Sequence, residues 1–228
     1  MRALSLLVLL FASTHTHVVA QSYPGGVSGA VVWLMADQGV TTSGSNVTTW
    51  VNQAGGTNFS GTGNPQWNAS QLNFQPGILF NGSNHVTSNA TILTNNGAYT
   101  KFLVFKYDGL TANNLISSGT GGSHALFSNN TNTDLVIHHA GNILSANNVV
   151  TPSRYYMATA GFSSGAANGL YINVDGAFKK AMTSSAPYSA GLMQLGAHNN
   201  GNRLTGRIAE AIVYPTALAT AANATRQI

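Results

Sequence analysis

The chain reads as an all-β protein, a two-sheet antiparallel jelly-roll sandwich. Three observations predict it. About ten short apolar or alternating runs are separated by Gly, Asn and Pro turns. No segment sustains an apolar stripe of helical period. Only 6% of the 228 residues are charged and 25 are glycine, a composition suited to shape and hydrogen bonding. No repeat of 20–50 residues is present, which argues against a propeller or solenoid. A parallel β-helix shares the Asn- and Gly-rich turns, but uneven strand spacing and Trp and Tyr within strands disfavour it.

The elements follow in order. Val31-Val32-Trp33-Leu34, entered from Tyr23-Pro24-Gly25-Gly26, is a buried strand. Asn46 to Val51 is a second, with Val47 and Trp50 as packing residues, and 52–63 is turn-rich. Ile78-Leu79-Phe80 lies between Pro76-Gly77 and Asn81-Gly82. Strands are predicted over Lys101–Tyr107, His124–Phe127, Asp134–His139 and Tyr155–Ala160. Leu170 to Val174 alternates with period two and turns at Asp175-Gly176, a hairpin signal. Gly191–Gly196 and Gly206–Tyr214 are the last strands, and alanines support a short helix over 217–226. Trp33 and Trp50 are assigned to the core.

Residues 1–20 have the form of a secretory signal: Arg2, an apolar run from Leu4 to Ala12, and Val18-Val19-Ala20 before the cut. The run is about half the roughly 20 residues that span a bilayer, so no transmembrane anchor is expected. Residues 21–228 then form a single β-sandwich domain, secreted or at the cell surface. There is no cysteine, which excludes thiol chemistry and disulfides. A formal charge of +4, with Lys179-Lys180 the one adjacent basic pair, leaves no electrostatic footprint for nucleic acid. Asn-x-Ser/Thr sequons at Asn46, Asn58, Asn68, Asn81, Asn89, Asn129 and Asn223 would matter only in a host that glycosylates.

Candidate site residues are few. The five acids are Asp37, Asp108, Asp134, Asp175 and Glu210, each alone on its segment, so carboxylate chemistry would have to be assembled from distant parts. The four aspartates sit at strand ends or turns, either as turn formers or as weak calcium ligands at separate sites. No other cofactor is expected. The histidines His85, His124, His138, His139 and His198 show no short zinc motif. Glu210 alternates with Ile208, Ile212 and Tyr214, which predicts a buried carboxylate paired with Arg154 or Arg207. For a ligand, the candidates are loop aromatics and amides: Trp67, Tyr188, and the run His198, Asn199, Asn200, Asn202 and Arg203. Trp67 either packs on its own sandwich or is displayed.

Three stretches carry a resemblance: Pro24 to Val27 with Val32-Trp33-Leu34-Met35-Ala36-Asp37-Gln38-Gly39-Val40; Val47 to Gly55 leading to Leu72–Gly82; and Leu170–Gly176 followed by Leu195-Gly196 and Gly206–Tyr214. In order and spacing they resemble the laminin G-like, concanavalin A-like lectin/glucanase superfamily, closest to its bacterial cell-surface branch. The resemblance implies two curved antiparallel sheets and a carbohydrate-binding or adhesive role. Asn52 and Asn81 stand where the pattern has Asp, which weakens any calcium site there. The usual Tyr-Leu and Lys-Tyr-Gly ending is replaced by Gln227-Ile228. The glucanase branch uses a Glu-x-Asp-x-x-Glu strand, and Glu210 has no acidic neighbour at 208 or 212, so that mechanism is not expected. Lyase action through His138, His139, Arg154 and Tyr155 meets the difficulty that adjacent strand residues face opposite ways. The expectation is therefore a non-catalytic module whose partner is a glycan or a surface protein. The alternative is a structural component that self-assembles, as a homo-oligomer or with partners, in a layer, filament or matrix.

Overall fold

The computed structural model describes residues 22–108, 113–119, 124–128 and 133–218. The signal segment, most of the expected helix over 217–226 and the sequons at Asn129 and Asn223 lie outside them. Among the described residues the one helical piece is a 3-10 turn at Pro24–Gly26. Everything else regular is strand, antiparallel throughout, in one connected set of ladders.

The first ladder is built around β17 (Thr205–Tyr214) and β8 (Tyr99–Tyr107). Beyond β8 come β13 (Tyr155–Phe162), β14 (Leu170–Val174) and β15 (Ala177–Met182). The other edge of β17 is shared: β1 (Val32–Met35) pairs with Glu210–Val213, and β6 (Gln75–Asn81) pairs with Thr205–Ile208 and continues to β5 (Gln66–Leu72). The second ladder begins with β2 (Val40–Ser43), β3 (Asn46–Trp50), β4 (Phe59–Thr62) and β7 (His85–Thr91). It continues through β16 (Leu192–Leu195), β9 (Asn113–Ser118), β10 (His124–Ser128), β11 (Leu135–His139) and β12 (Asn142–Ala146). A bridge from Asn46 to Gln66 joins the ladders at one side, and β12 lies close to β15 at the other. The sheet is thus nearly closed into a barrel.

Both ladders bury their inward residues in one core, including Leu34, Trp50, Phe59, Phe80, Leu103, Phe105, Ile137 and Ile172. On the outer face of the first ladder, Trp33, Phe102, Ile212 and Tyr214 form a second, smaller cluster. Trp50 is therefore in the main core, and Trp33, which alternates with Val32 and Leu34, is buried in the second cluster, so both are core residues as expected. β17 carries a bulge at Ala209, between the pairs Ile208↔Phe105 and Glu210↔Val104. An extra residue reverses the alternation, so Ile208 points into the main core while Glu210, Ile212 and Tyr214 point out.

Several strands carry no apolar alternation, and sequence reading placed β4 and β5 in turns. Polar side chains also tie loops to strands. Asn52, just after β3, is the clearest case: its Oδ1 accepts the Trp33 and Ala54 amides at 2.8 and 3.2 Å. Its Nδ2 donates to the Val31 and Gly55 carbonyls at 2.8 and 2.6 Å. An aspartate there would lack both donors.

Candidate functional site

The Ala209 bulge turns Glu210 outward into a depression of about 220 Å³ on the outer face of the first ladder. Met35, Leu72, Pro76, Val104 and Ala209 give it apolar walls, and Asp37, Gln75 and Glu210 supply the polar groups. The Trp33 indole N–H donates to Glu210 Oε1 at 2.8 Å. Burial pushes the Glu210 carboxyl above its ordinary range; the Trp33 bond opposes the shift and the negative charge of Asp37 adds to it. Glu210 is thus partnered by an indole, not by a cation. The expected arginines are engaged elsewhere: Arg207 with Asp108, and Arg154 with Asp175 at 3.7 Å. Asp37, which enters from the loop after β1, gives Glu210 the acidic neighbour that its own strand lacks.

The turn between Leu72 and Gln75, two residues that line the depression, carries an exposed aromatic that gives no apolar pattern in the sequence. Leu72 pairs with Gln75 across a two-residue turn, in which Asn73 and Phe74 have φ of 45° and 66°. Such mirror-image hairpin turns favour Asn-Gly. A phenylalanine in the left-handed region costs about 1–2 kcal/mol, and this one is 92% exposed. Strain retained at an exposed apolar side chain is a feature of binding sites. Farther along the same face, Asp108 holds both Lys106, at 3.0 Å, and Arg207. Lys106 stands over the Tyr155 ring at 5.6 Å. The buried Tyr155 hydroxyl has no partner, and burial pushes it up to about 12.

The ligand candidates read from sequence do not gather here. Trp67 is on β5 with its indole N–H bonded to the Ala36 carbonyl at 2.7 Å, and its ring packs against the main core. It is packed, not displayed. Tyr188 is corrected likewise: it is 5% exposed, with its hydroxyl donating to the Gly97 carbonyl and its amide to Asn96 Oδ1. His198, Asn199, Asn200, Asn202 and Arg203 do share one hairpin, between β16 and β17. It is tied to the second ladder by Gln194, which exchanges two hydrogen bonds with Asn200, and by Asn114 Nδ2 on the Asn202 carbonyl.

Tyr188 belongs instead to a sealed polar cluster at one end of the core. Lys101, 1% exposed, places Nζ 2.7 Å from His124 Nδ1 and 2.5 Å from the His124 carbonyl. Tyr99 shares a hydrogen bond with His139 Nδ1 at 3.0 Å. Burial holds Lys101 and His124 well below their usual values and His139 at about 4. His139 faces this interior while Tyr155 lies on the outer face of the opposite ladder, so the imagined lyase set is not assembled.

The aspartates considered for calcium mostly meet protein donors. Asp108 takes two cations. Asp134 accepts the Asn148 amide at 2.9 Å. Asp175, at φ 50°, accepts the Met157 amide at 2.9 Å. Asp37 faces the depression. Among the described residues no three His, Asp or Glu side chains are grouped to hold a metal ion.

No protein-family model and no curated protein sequence matches the chain. Solved structures do share its fold. Domain 4 of AbnA, an extracellular GH43 arabinanase from Geobacillus stearothermophilus solved with arabinotriose, superposes with a TM-score of 0.62 at 14% identity, over 87% of this chain and 98% of that domain. Trypanosoma rangeli sialidase gives 0.62 at 15% identity, over 94% of this chain but 35% of the sialidase. The binding domain of Paraclostridial Mosquitocidal Protein 1 gives 0.58 at 12%, over 86% and 51%. The chain therefore spans about a third of the sialidase and half of the mosquitocidal chain. At these identities the likeness shows the fold alone.

Proposed function

We propose that the protein is an exported, non-catalytic carbohydrate-binding module of concanavalin A-like, laminin G-like jelly-roll architecture, and that it binds a neutral sugar in the Asp37/Glu210 depression. The observation that carries this reading is the pairing of an exposed aromatic, Phe74, with clustered hydrogen-bonding groups over apolar walls. A sugar offers a C–H face for the ring and hydroxyls for Asp37, Glu210 and Gln75, the balance found in selective pockets. The AbnA domain, solved with a trisaccharide, supports a sugar as ligand on this fold.

The test is calorimetric titration with neutral pentose and hexose oligosaccharides. Wild type binds at least one; Phe74→Ala and Glu210→Gln each weaken that binding about tenfold with unchanged melting temperature. Equal affinity in both variants, or no binding by wild type, overturns the reading. Release of reducing ends by the pure protein would overturn its non-catalytic part.

A second reading, a self-assembling surface component, is favoured by apolar residues exposed near the ladder ends, Phe178 on β15 and Ile143 on β12. Ultracentrifugation decides it: regular oligomers abolished by Phe178→Ser support this reading, and a monomer at all concentrations excludes it.

A further inference from the structure

All five acidic residues lie in the described part of the chain, and they are distributed over Lys106, Arg207, Arg154, the Trp33 indole, backbone amides and the depression. None reaches the half-buried Arg203. Its guanidinium makes no hydrogen bond or ion pair among the described residues, and its Nε–H is buried without a partner. The neighbouring His85 is 3% exposed, and its Nδ1 is also unpartnered. Arg203 acts on it directly: burial first, then the positive charge of Arg203, lowers the His85 pKa, while a hydrogen bond with Asn200 raises it. On the same hairpin, His198 Nδ1 is a third buried nitrogen with no partner. The hairpin backbone is fixed in an uncommon shape, with Asn199, Asn200 and Asn202 at φ of 49°, 57° and 43°.

A half-buried guanidinium close to one buried histidine with an unpartnered Nδ1, and on the same hairpin as a second, suits a ligand that brings negative charge and acceptor oxygens. We propose that the His198–Arg203 hairpin and His85 form a second site, separate from the depression, that takes the oxyanion of an acidic sugar, a carboxylate or a sulfate. Arg203 supplies the charge and paired donors, and the His85 and His198 rings donate once the anion is in place. Bulky neutral sugars gain nothing here, since no exposed aromatic stands on the hairpin.

The test is an NMR titration of the full chain, following the histidine rings and the Arg203 Nε–H, with glucuronate, inorganic sulfate and glucose as separate probes. Glucuronate or sulfate shifts all three groups to saturation, and glucose does not. Shifts with sulfate but not glucuronate assign a sulfated group; the converse assigns a carboxylate. Arg203→Gln weakens the response about tenfold, Arg203→Lys partly restores it, and Phe74→Ala leaves it unchanged, which separates this site from the depression. If Arg203→Gln does not fold, the intermediate affinity of Arg203→Lys serves the same purpose. Absence of shifts with both anions overturns the proposal, as does an undiminished response in the Arg203 variants.

Discussion

The two polar assemblies on either side of β8 differ in what their charges meet. Inside, Lys101, His124, His139, Tyr99 and Tyr188 form the densest group of titratable side chains, yet they satisfy one another and packing closes them off. Outside, the depression has fewer polar groups, set over apolar walls beside the hairpin turn that displays Phe74, and it is open. Alternation alone separates the two lysines: odd positions of β8 face the core, so Lys101 is interior, and even positions face out, so Lys106 joins Asp108 and Arg207. Chemical richness therefore marks stability here, and accessibility marks the candidate site.

The sharpest way to break this comparison is at the sealed end. His124→Ala removes the acceptor of a buried amine and leaves a cavity, which costs about 3 kcal/mol or more by urea unfolding. Glu210→Gln on the open side changes stability by less than about 1 kcal/mol. A reversed order would mean that the depression, not the interior network, is structural.

Acid and alkali sharpen the same contrast. The folded state holds His139 at about 4 and His124 below 6.5, so the unfolded chain binds more protons and stability rises with pH from 4 to 6.5. Lys101, lowered from 10.5, extends the rise toward pH 10. Above that, the raised Tyr99 reverses it, because the unfolded tyrosine ionises first. Glu210, shifted upward from 4.5, subtracts from the climb just above pH 4.5. Melting temperature should still be rising as pH approaches 10, and Lys101→Met should flatten that alkaline part of the rise.

A smaller effect separates two aromatics of one hairpin. Trp67→Ala should cost about 2–3 kcal/mol, having lost packing and a hydrogen bond. Phe74→Gly should stabilise by up to about 1 kcal/mol, since glycine accepts the left-handed backbone. Smallest is Asp108→Asn, worth about 1 kcal/mol or less and weakened by salt, readable as a shift in the urea midpoint at low ionic strength.

The apolar strands were legible in the sequence, from Val32–Leu34 to the final Ile208–Tyr214, because core burial writes a pattern of side chains. Strands such as Phe59–Thr62, Gln66–Leu72 and Ala177–Met182 were not, because they are edges or half-exposed and rely on backbone pairing, which leaves no such pattern. Of the site, Asp37 and Glu210 were visible as isolated acids, but 173 positions of chain and one bulged alanine bring them to one depression. Phe74 gave a signal that could have been read: an Asn-Phe pair between strands where Asn-Gly is usual. Tyr188 stands in a loop by sequence, yet that loop folds over the sealed end and buries the ring. The Asn-rich hairpin is visible in the sequence as a run of polar groups, but that none of the five carboxylates lies against Arg203 is set by the fold.

On the proposed function, the open face beside β17 holds the sugar. Amide and indole shift mapping with arabinotriose, extended to other neutral trisaccharides, tests it most directly. Saturable shifts concentrated at Trp33, Met35, Asp37, Phe74, Gln75 and Glu210 are the expected result. Shifts confined to other surfaces, or none with any neutral trisaccharide, would contradict it.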